Sequence, residues 1–219
     1  MKLVLSLGGS VFEGEAERIK EFATVLDEIS EEHTLFIVVG GGKMAREIIR
    51  KARSLGANEV MCDYLGIAVT RINAMLLAFA MRNSAKKIPE NFIEAEELSR
   101  KHKAVVMGGT FPGHTTDATA ALLAEFVGAD LFLNATSVDG IYSEDPRKNP
   151  KAARFERISP KELIELVARE QMKAGINVVM DILAVKVLER SKIKAIVFKG
   201  EPENIKKVIR GEKIGTLII

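Results

Sequence analysis

Hydrophobic and polar positions along the chain follow two alternating rhythms. Short, mostly apolar runs, rich in β-branched residues, recur at 3–7, 34–39, 104–107, 130–133, 193–198 and 216–219. Runs of this length with no polar alternation predict strands of a sheet covered on both faces. Between them the apolar residues lie three and four apart. Ile19, Phe22, Ala23, Leu26 and Ile29 form one stripe, and Glu28, Glu31 and Glu32 form the solvated side. That period predicts a helix with one buried face, and the same reasoning predicts helices over 43–54, 60–81, 116–127, 159–170 and 178–191. Ser159 before Pro160, with Glu162 placed to reciprocate, marks a helix start. Strand and helix alternate from end to end, which predicts a single α/β domain over 1–219 built on a parallel sheet. No repeat or low-complexity linker divides it. The longest irregular segment, 139–154, is rich in Asp, Pro, Asn and Lys, and long loops in compact domains are often binding loops.

Composition narrows the classes. The 219 residues are 47% hydrophobic and 28% charged with a formal net charge of +2, an ordinary globular balance that argues against a nucleic-acid partner. The single cysteine, Cys62, can form no internal disulfide, and the first residues lack the apolar segment of a signal peptide, so a reducing cytoplasm is the expected setting. No apolar stretch approaches the roughly 20 residues needed to cross a bilayer, and no membrane partner is expected. The absence of Trp, the lone Gln171 and the many Lys, Glu and Arg fit the surface ion-pair networks of heat-adapted proteins.

Three glycine clusters stand at the ends of predicted strands: Gly8-Gly9-Ser10, Gly40-Gly41-Gly42 and Gly108-Gly109-Thr110. Parallel strands share one carboxyl edge, and ligands bind in the crevice outside it, so the three clusters are expected to converge. Glycine lets a phosphate approach the backbone, and a following helix aims free N–H groups at it. The clusters together predict phosphate binding. Neither the P-loop pattern nor the Rossmann fingerprint with its acidic residue is present. Arg46 falls near the first turn of the helix after the second cluster, where its guanidinium can fork onto phosphate oxygens, and Lys43 is a second candidate cation. The third cluster continues as "GGTFPGHTTDATAALLAE", which offers the hydroxyls of Thr110, Thr115 and Thr116, the flat face of Phe111, and Asp117 at a helix start. A cap or dipole partner would also explain that aspartate. His114 reads as a loop residue, and three histidines with no Cys/His/carboxylate spacing predict no structural metal site.

Four segments, "VVGGGKMAR", "DYLGIAVTRINA", "GGTFPGHTTDATAA" and "ATSVDGIYSEDP", resemble in order and approximate spacing the amino-acid kinase superfamily, and within it the archaeal type of uridylate (UMP) kinase. The resemblance covers essentially the whole chain. It implies a three-layer αβα sandwich with an eight-stranded, mostly parallel sheet, and UMP toward the N-terminal part with ATP over about 130–219. It further implies Mg²⁺, a homohexamer built as a trimer of dimers, and transfer of phosphoryl from ATP to UMP in pyrimidine biosynthesis. Carried over by position, Gly9, Ser10, Gly42, Arg46, Thr136, Ser137, Tyr142 and Asp145 match the ATP side. Gly41, Asp63, Phe111, Pro112, Gly113, His114, Thr115, Thr116 and Asp117 match the UMP side, with Arg46, Asp117 and Lys43 at the reaction centre.

The chain departs from the bacterial pattern at two positions where relatives commonly carry lysine, here Ser6 and Asn134. Lys43, Arg46, Lys173 and Mg²⁺ are the candidates to supply the charge instead, and Asp181 reads as a helix-start residue or as one that supports the residues touching the ligand. Phosphoryl transfer to an acceptor that is already a phosphate needs no strong base, so catalysis reduces to positioning and charge neutralisation. Two other readings of the motifs remain: a superfamily kinase with a different small-molecule acceptor, and a nucleotide-binding regulatory module without turnover.

Overall fold

The structure, a computed structural model, describes residues 1–144, 146, 149, 151–171 and 180–219. Asp145 and Lys173 lie outside the described residues. Strands β1 (Lys2–Leu7), β2 (Thr34–Val39), β3 (Ala104–Met107), β4 (Leu131–Thr136), β5 (Arg157–Ile158), β6 (Ala195–Lys199) and β7 (Thr216–Ile218) form one sheet in the order β3-β2-β1-β4-β6-β7-β5. All neighbours pair in parallel except β6 and β7. The described residues thus give seven strands where the resemblance implies eight. Beyond them, Ser84 with Ala104 and Tyr142 with Arg154 each make only an isolated bridge, too short for a strand.

The period of two in each strand divides the core. Leu3, Leu5 and Leu7 of β1 and Leu35, Ile37 and Val39 of β2 face one way and meet Phe22 and Leu26 of α1 (Ala16–Glu32), Leu77 of α3 (Glu59–Ala80) and Ile205 of α8 (Pro202–Ile209). Val4, Phe36 and Phe132 face the other way and pack under α4 (Phe92–Ser99), α5 (Thr116–Val127), α6 (Pro160–Gln171) and α7 (Ile182–Ser191). This is the expected αβα sandwich. Each fully buried Leu or Phe contributes on the order of 2 kcal/mol, so the two interfaces supply most of the stabilisation. The remaining helix, α2 (Gly42–Ser54), lies against α3.

Helix ends follow local chemistry. Ser159 and Glu162 exchange hydrogen bonds, the Glu162 carboxylate accepting from the Ser159 N–H at 2.9 Å and Ser159 Oγ from the Glu162 N–H at 3.2 Å. Asp181 caps α7 by accepting from the Ala184 N–H at 2.9 Å. The predicted helix over 178–191 is described only from Ile182, since 172–179 lie outside the described residues. Helices α4 and α8, eight residues each with one and two buried side chains, carry too little periodicity to be read from sequence. Helix α3 corrects one expectation: although Asp63 and Arg71 interrupt its apolar run, its 22 residues are long and apolar enough by length and composition to cross a bilayer. Its inner side is packed, with Val69, Ala74, Leu77 and Ala78 buried.

Candidate active site

Strand β1 has β2 on one side and β4 on the other, so the chain leaves their carboxyl ends in opposite directions and opens a crevice there, the usual ligand position in such sheets. A cleft of about 720 Å³ occupies it. Its walls include Gly8, Gly9 and Ser10 after β1, Gly40, Gly41 and Gly42 after β2, and Thr116 and Asp117 at the start of α5. Thr136, Ser137 and Val138 after β4, with Tyr142, complete the other side, and Leu163, Leu166, Val167 and Met180 supply an apolar wall.

The first two glycine loops interlock. A Cβ built on Gly9 would lie 2.0 Å from the Gly42 nitrogen, and Gly42 itself has a φ of +62°. Neither position has room or conformation for a side chain. The 3-10 turn Gly9–Phe12 and the N-terminus of α2 therefore present their backbone edges to the cleft together. Glu13 reaches that N-terminus, its Oε1 accepting from the Lys43 N–H at 2.7 Å and lying 3.4 Å from the Arg46 guanidinium. Sequence reading missed Glu13, because only the fold brings this loop acid to a helix 30 positions away.

At the centre, Ser6 and Asn134 are direct partners in the β1–β4 register. Both are almost wholly buried, at 3% and 2% exposure, on the sheet face that meets α5. Ser6 Oγ donates to Asp117 Oδ1 at 2.6 Å, and Asn134 is also hydrogen-bonded to Asp117. Burial pushes the Asp117 carboxyl up to about 6, and the charge of Asp181 adds to the rise, while the bonds from Ser6 and Asn134 oppose it. Thr115, which caps α5 through the Ala118 N–H at 3.0 Å, donates its own hydroxyl to Asp181.

Of the candidate residues, the structure brings Gly9, Ser10, Gly41, Gly42, Arg46, Thr116, Asp117, Thr136, Ser137 and Tyr142 to the cleft. Lys43 does not line it. One step round α2, its side chain is 70% exposed and pairs with Glu47 at 3.9 Å, leaving only its backbone N–H near the loop. The third glycine cluster also departs from expectation: Gly108 and Gly109 abut α3, and the chain then runs along the outside as Phe111, Pro112, Gly113, His114 and Thr115 before entering the cleft at Thr116. Phe111 is 62% exposed with its ring 6.3 Å from that of His114, and Asp63 Oδ2 accepts from the Gly113 N–H at 2.8 Å. Tyr142 donates to Asp139 at 2.9 Å, and that bond raises its phenol above the usual range. Among the described residues no group of three or more His, Cys, Asp or Glu side chains could hold a metal ion.

Comparison with known proteins agrees with this architecture. Residues 1–199 match the Amino acid kinase family. The chain is 59% identical to the uridylate kinase of Archaeoglobus fulgidus, with all of both chains covered. It is 50% identical to that of Methanocaldococcus jannaschii over all of this chain and 99% of the relative. The crystal structure of the Archaeoglobus fulgidus uridylate kinase superposes over the full length of both chains with a TM-score of 0.94 at 57% identity. That of the UMP kinase from Ureaplasma parvum superposes over all of this chain and 98% of the other, with a TM-score of 0.81 at 25% identity. Sheet order, cleft and full-length likeness agree that the chain belongs to the amino acid kinase family.

Proposed function

We propose that this chain is an ATP-dependent uridylate kinase, which transfers the γ-phosphoryl group of ATP to the phosphate of UMP and yields UDP and ADP for pyrimidine nucleotide synthesis. The observation that carries the reading is the interlocked pair of glycine loops facing Asp117 across one cleft, in a chain 59% identical throughout to a uridylate kinase.

ATP occupies the side built from about 130–219. There Tyr142 and the half-buried Leu166, backed by the core residues Leu163, Val167 and Met180, suit a purine ring, and Thr136 and Ser137 suit its sugar and phosphates. Asp145 belongs to the same loop by resemblance. UMP occupies the N-terminal side, where Gly41 meets its phosphate and Asp63 has Oδ1 left for sugar hydroxyls while Oδ2 holds the Gly113 N–H. Phe111, Pro112, Gly113, His114, Thr115 and Thr116 wrap the nucleoside, and the exposed ring of Phe111 is free to stack.

Two polyanions must meet in line. Each uncompensated pair of charges about 4 Å apart costs on the order of 4 kcal/mol at an effective dielectric near 20. The amides of Gly9, Ser10, Gly42 and Lys43 and the guanidinium of Arg46 lower that cost and strengthen as charge moves to the β-phosphate. Asp117 holds the polar groups around the transferred phosphoryl in register. Of Lys43 only the backbone N–H serves the site, since its ammonium lies outward beside Glu47. Among the described residues no group of three or more His, Cys, Asp or Glu side chains would hold Mg²⁺ by itself, so the ion would enter with ATP, and Ser10 on the cleft loop is the hydroxyl that would stand near it. Its chemistry there is neutralisation of phosphate charge.

The outer stripe of α3, where Met61, Leu65, Ile72, Met75, Leu76 and Phe79 are exposed along one side of the helix, supports a contact between copies of the chain, and the homohexamer of three dimers rests on the resemblance. A cytoplasmic setting is supported by the buried, unpaired Cys62.

The test is coupled ADP release with Mg·ATP and a panel of acceptors: UMP, CMP, dUMP, AMP, acetylglutamate and isopentenyl phosphate. Turnover with UMP well above the rest is expected. Turnover with another acceptor alone assigns a different kinase, and tight ATP binding with no release assigns a regulatory module.

A further inference from the structure

Helix α3 carries three polar side chains at 63, 70 and 73, spaced seven and three apart and so on one side of the helix. Two of them hold the backbone of the loop between β3 and α5, and the third holds the end of β2. Asp63 accepts from the Gly113 N–H at 2.8 Å, Thr70 Oγ1 accepts from the Gly109 N–H at 2.8 Å, and Asn73 Nδ2 donates to the Gly40 carbonyl at 2.8 Å. Thr70 and Asn73 are 6% and 1% exposed, and neither lines the cleft. We infer that Thr70 and Asn73 are positioning residues, which set the distance between the glycine loop that ends β2 and the loop that ends β3.

Thr70 is shaped for this. Its hydroxyl donates to the Ile67 carbonyl one turn back at 2.6 Å, which fixes the rotamer and aims a lone pair at Gly109. Its methyl carbon faces the other loop, 3.6 Å from where a Cβ on Gly41 would stand, while the backbone of Gly108 passes so close that a Cβ there would meet Oγ1 at 2.5 Å. One β-branched side chain thus stands between the two loops, its polar arm bonded to one and its apolar arm turned toward the other. Valine keeps the shape and loses the acceptor, and serine keeps the acceptor and loses the methyl. Asn73 is one turn further on. Its donor holds the Gly40 carbonyl, and its Oδ1 is buried with no partner. A buried polar group left half-satisfied is costly, and its retention beside a phosphate loop fits a role beyond packing.

The consequence is kinetic and rests on the kinase reading. The β2 loop serves both substrates, Gly41 on the UMP phosphate and Gly42 with Arg46 on the ATP side, and the β3 loop leads into the segment that wraps the acceptor nucleoside, so a shift between the two loops misaligns the bound acceptor against the donor without removing a contact to either. Displacements of about 1 Å between reacting groups cost up to about a hundredfold in rate. Thr70→Val and Asn73→Asp are therefore expected to lower kcat by at least about tenfold, with KM for ATP and UMP changed by less than about threefold. Thr70→Ser is expected to keep kcat within about threefold of the parent.

The experiment measures kcat and both KM values for the full-length parent and the three variants. It also measures amide hydrogen exchange of the loop around Gly109 in the ligand-free proteins. Faster exchange there in Thr70→Val but not Thr70→Ser, with exchange in β2 unchanged, together with the split in kcat, is the expected result. Equal losses of kcat in the Val and Ser variants, or parental kcat in Thr70→Val, would overturn the positioning role. So would unchanged exchange at Gly109 in Thr70→Val. A parent enzyme inactive with UMP strikes the kinase reading alone, and the exchange comparison then decides whether Thr70 holds the loop.

Discussion

The Asp117 carboxyl gives a pH dependence whose sign and size follow from its surroundings. Strands β1 and β4 place Ser6 and Asn134 side by side beneath α5, and both are neutral where a lysine would have held Asp117 ionised. Burial therefore dominates and raises the group to about 6 from an ordinary 3.8. A carboxyl raised in the folded state binds its proton more tightly than the unfolded chain does. Its contribution to stability is full below about pH 4, falls as pH rises toward 6, and is gone above that. A shift of about two units is worth no more than about 3 kcal/mol, and the opening of the site onto the cleft reduces it further. Other carboxylates slope the opposite way: Glu162 is lowered by its bonds with Ser159 and Glu201 by its bond with Arg18, so the total curve hides the effect. The difference between parent and Asp117→Asn isolates it. Denaturant unfolding from pH 4 to 8 is expected to show the variant gaining on the parent as pH rises through that range, then running level above it. Ser6→Ala removes one of the two bonds that favour the anion, and should move the midpoint upward by about one unit. A parent–variant difference independent of pH would refute the raised carboxyl, and a midpoint unmoved in Ser6→Ala would refute the opposing role of the Ser6 bond.

Two further predictions concern the interlocked loops. Gly9→Ala forces a methyl carbon against the Gly42 backbone, so it should cost about 1–3 kcal/mol in denaturant unfolding and depress kcat by a larger factor than any change in the sheet core of equal stability cost; unchanged stability would contradict the close approach. Glu13 occupies the Lys43 amide at the start of α2 and lies beside Arg46, where phosphate is expected, so Glu13→Gln should lower KM for ATP by roughly two- to tenfold, with a steeper rise of KM with salt. A raised KM would show that Glu13 aids the nucleotide.

The parts of the fold legible in the sequence were those whose signal is local. Strands β1, β2 and β3 read as mostly apolar runs because both of their faces are covered, and the single polar Ser6 inside β1 is followed at once by Leu7, which carries the run on. Strand β4 was read three residues short, and the reason is functional: it continues through Asn134, Ala135 and Thr136, and hydropathy takes a polar residue for the end of a strand. A buried asparagine in mid-sheet is what a site requires and what a pattern of apolar residues misses.

The same division runs through the site. Glycine clusters after strands are local signals, and two of the three do line the cleft. The third was placed there by symmetry of reasoning. Its glycines instead let the backbone pass against Thr70, and the same residue type serves a ligand approach in one loop and a helix contact in another. Glu13, Thr70 and Asn73 were silent in sequence because an acid in a loop and polar residues within a helix are ordinary until the fold sets them 30 to 39 positions from their partners. The residues that could be read are those that touch phosphate through the backbone. Those that had to be seen act on other backbone, and for a reaction that asks for alignment more than for acid–base chemistry, they are the place where rate can be lost without loss of binding.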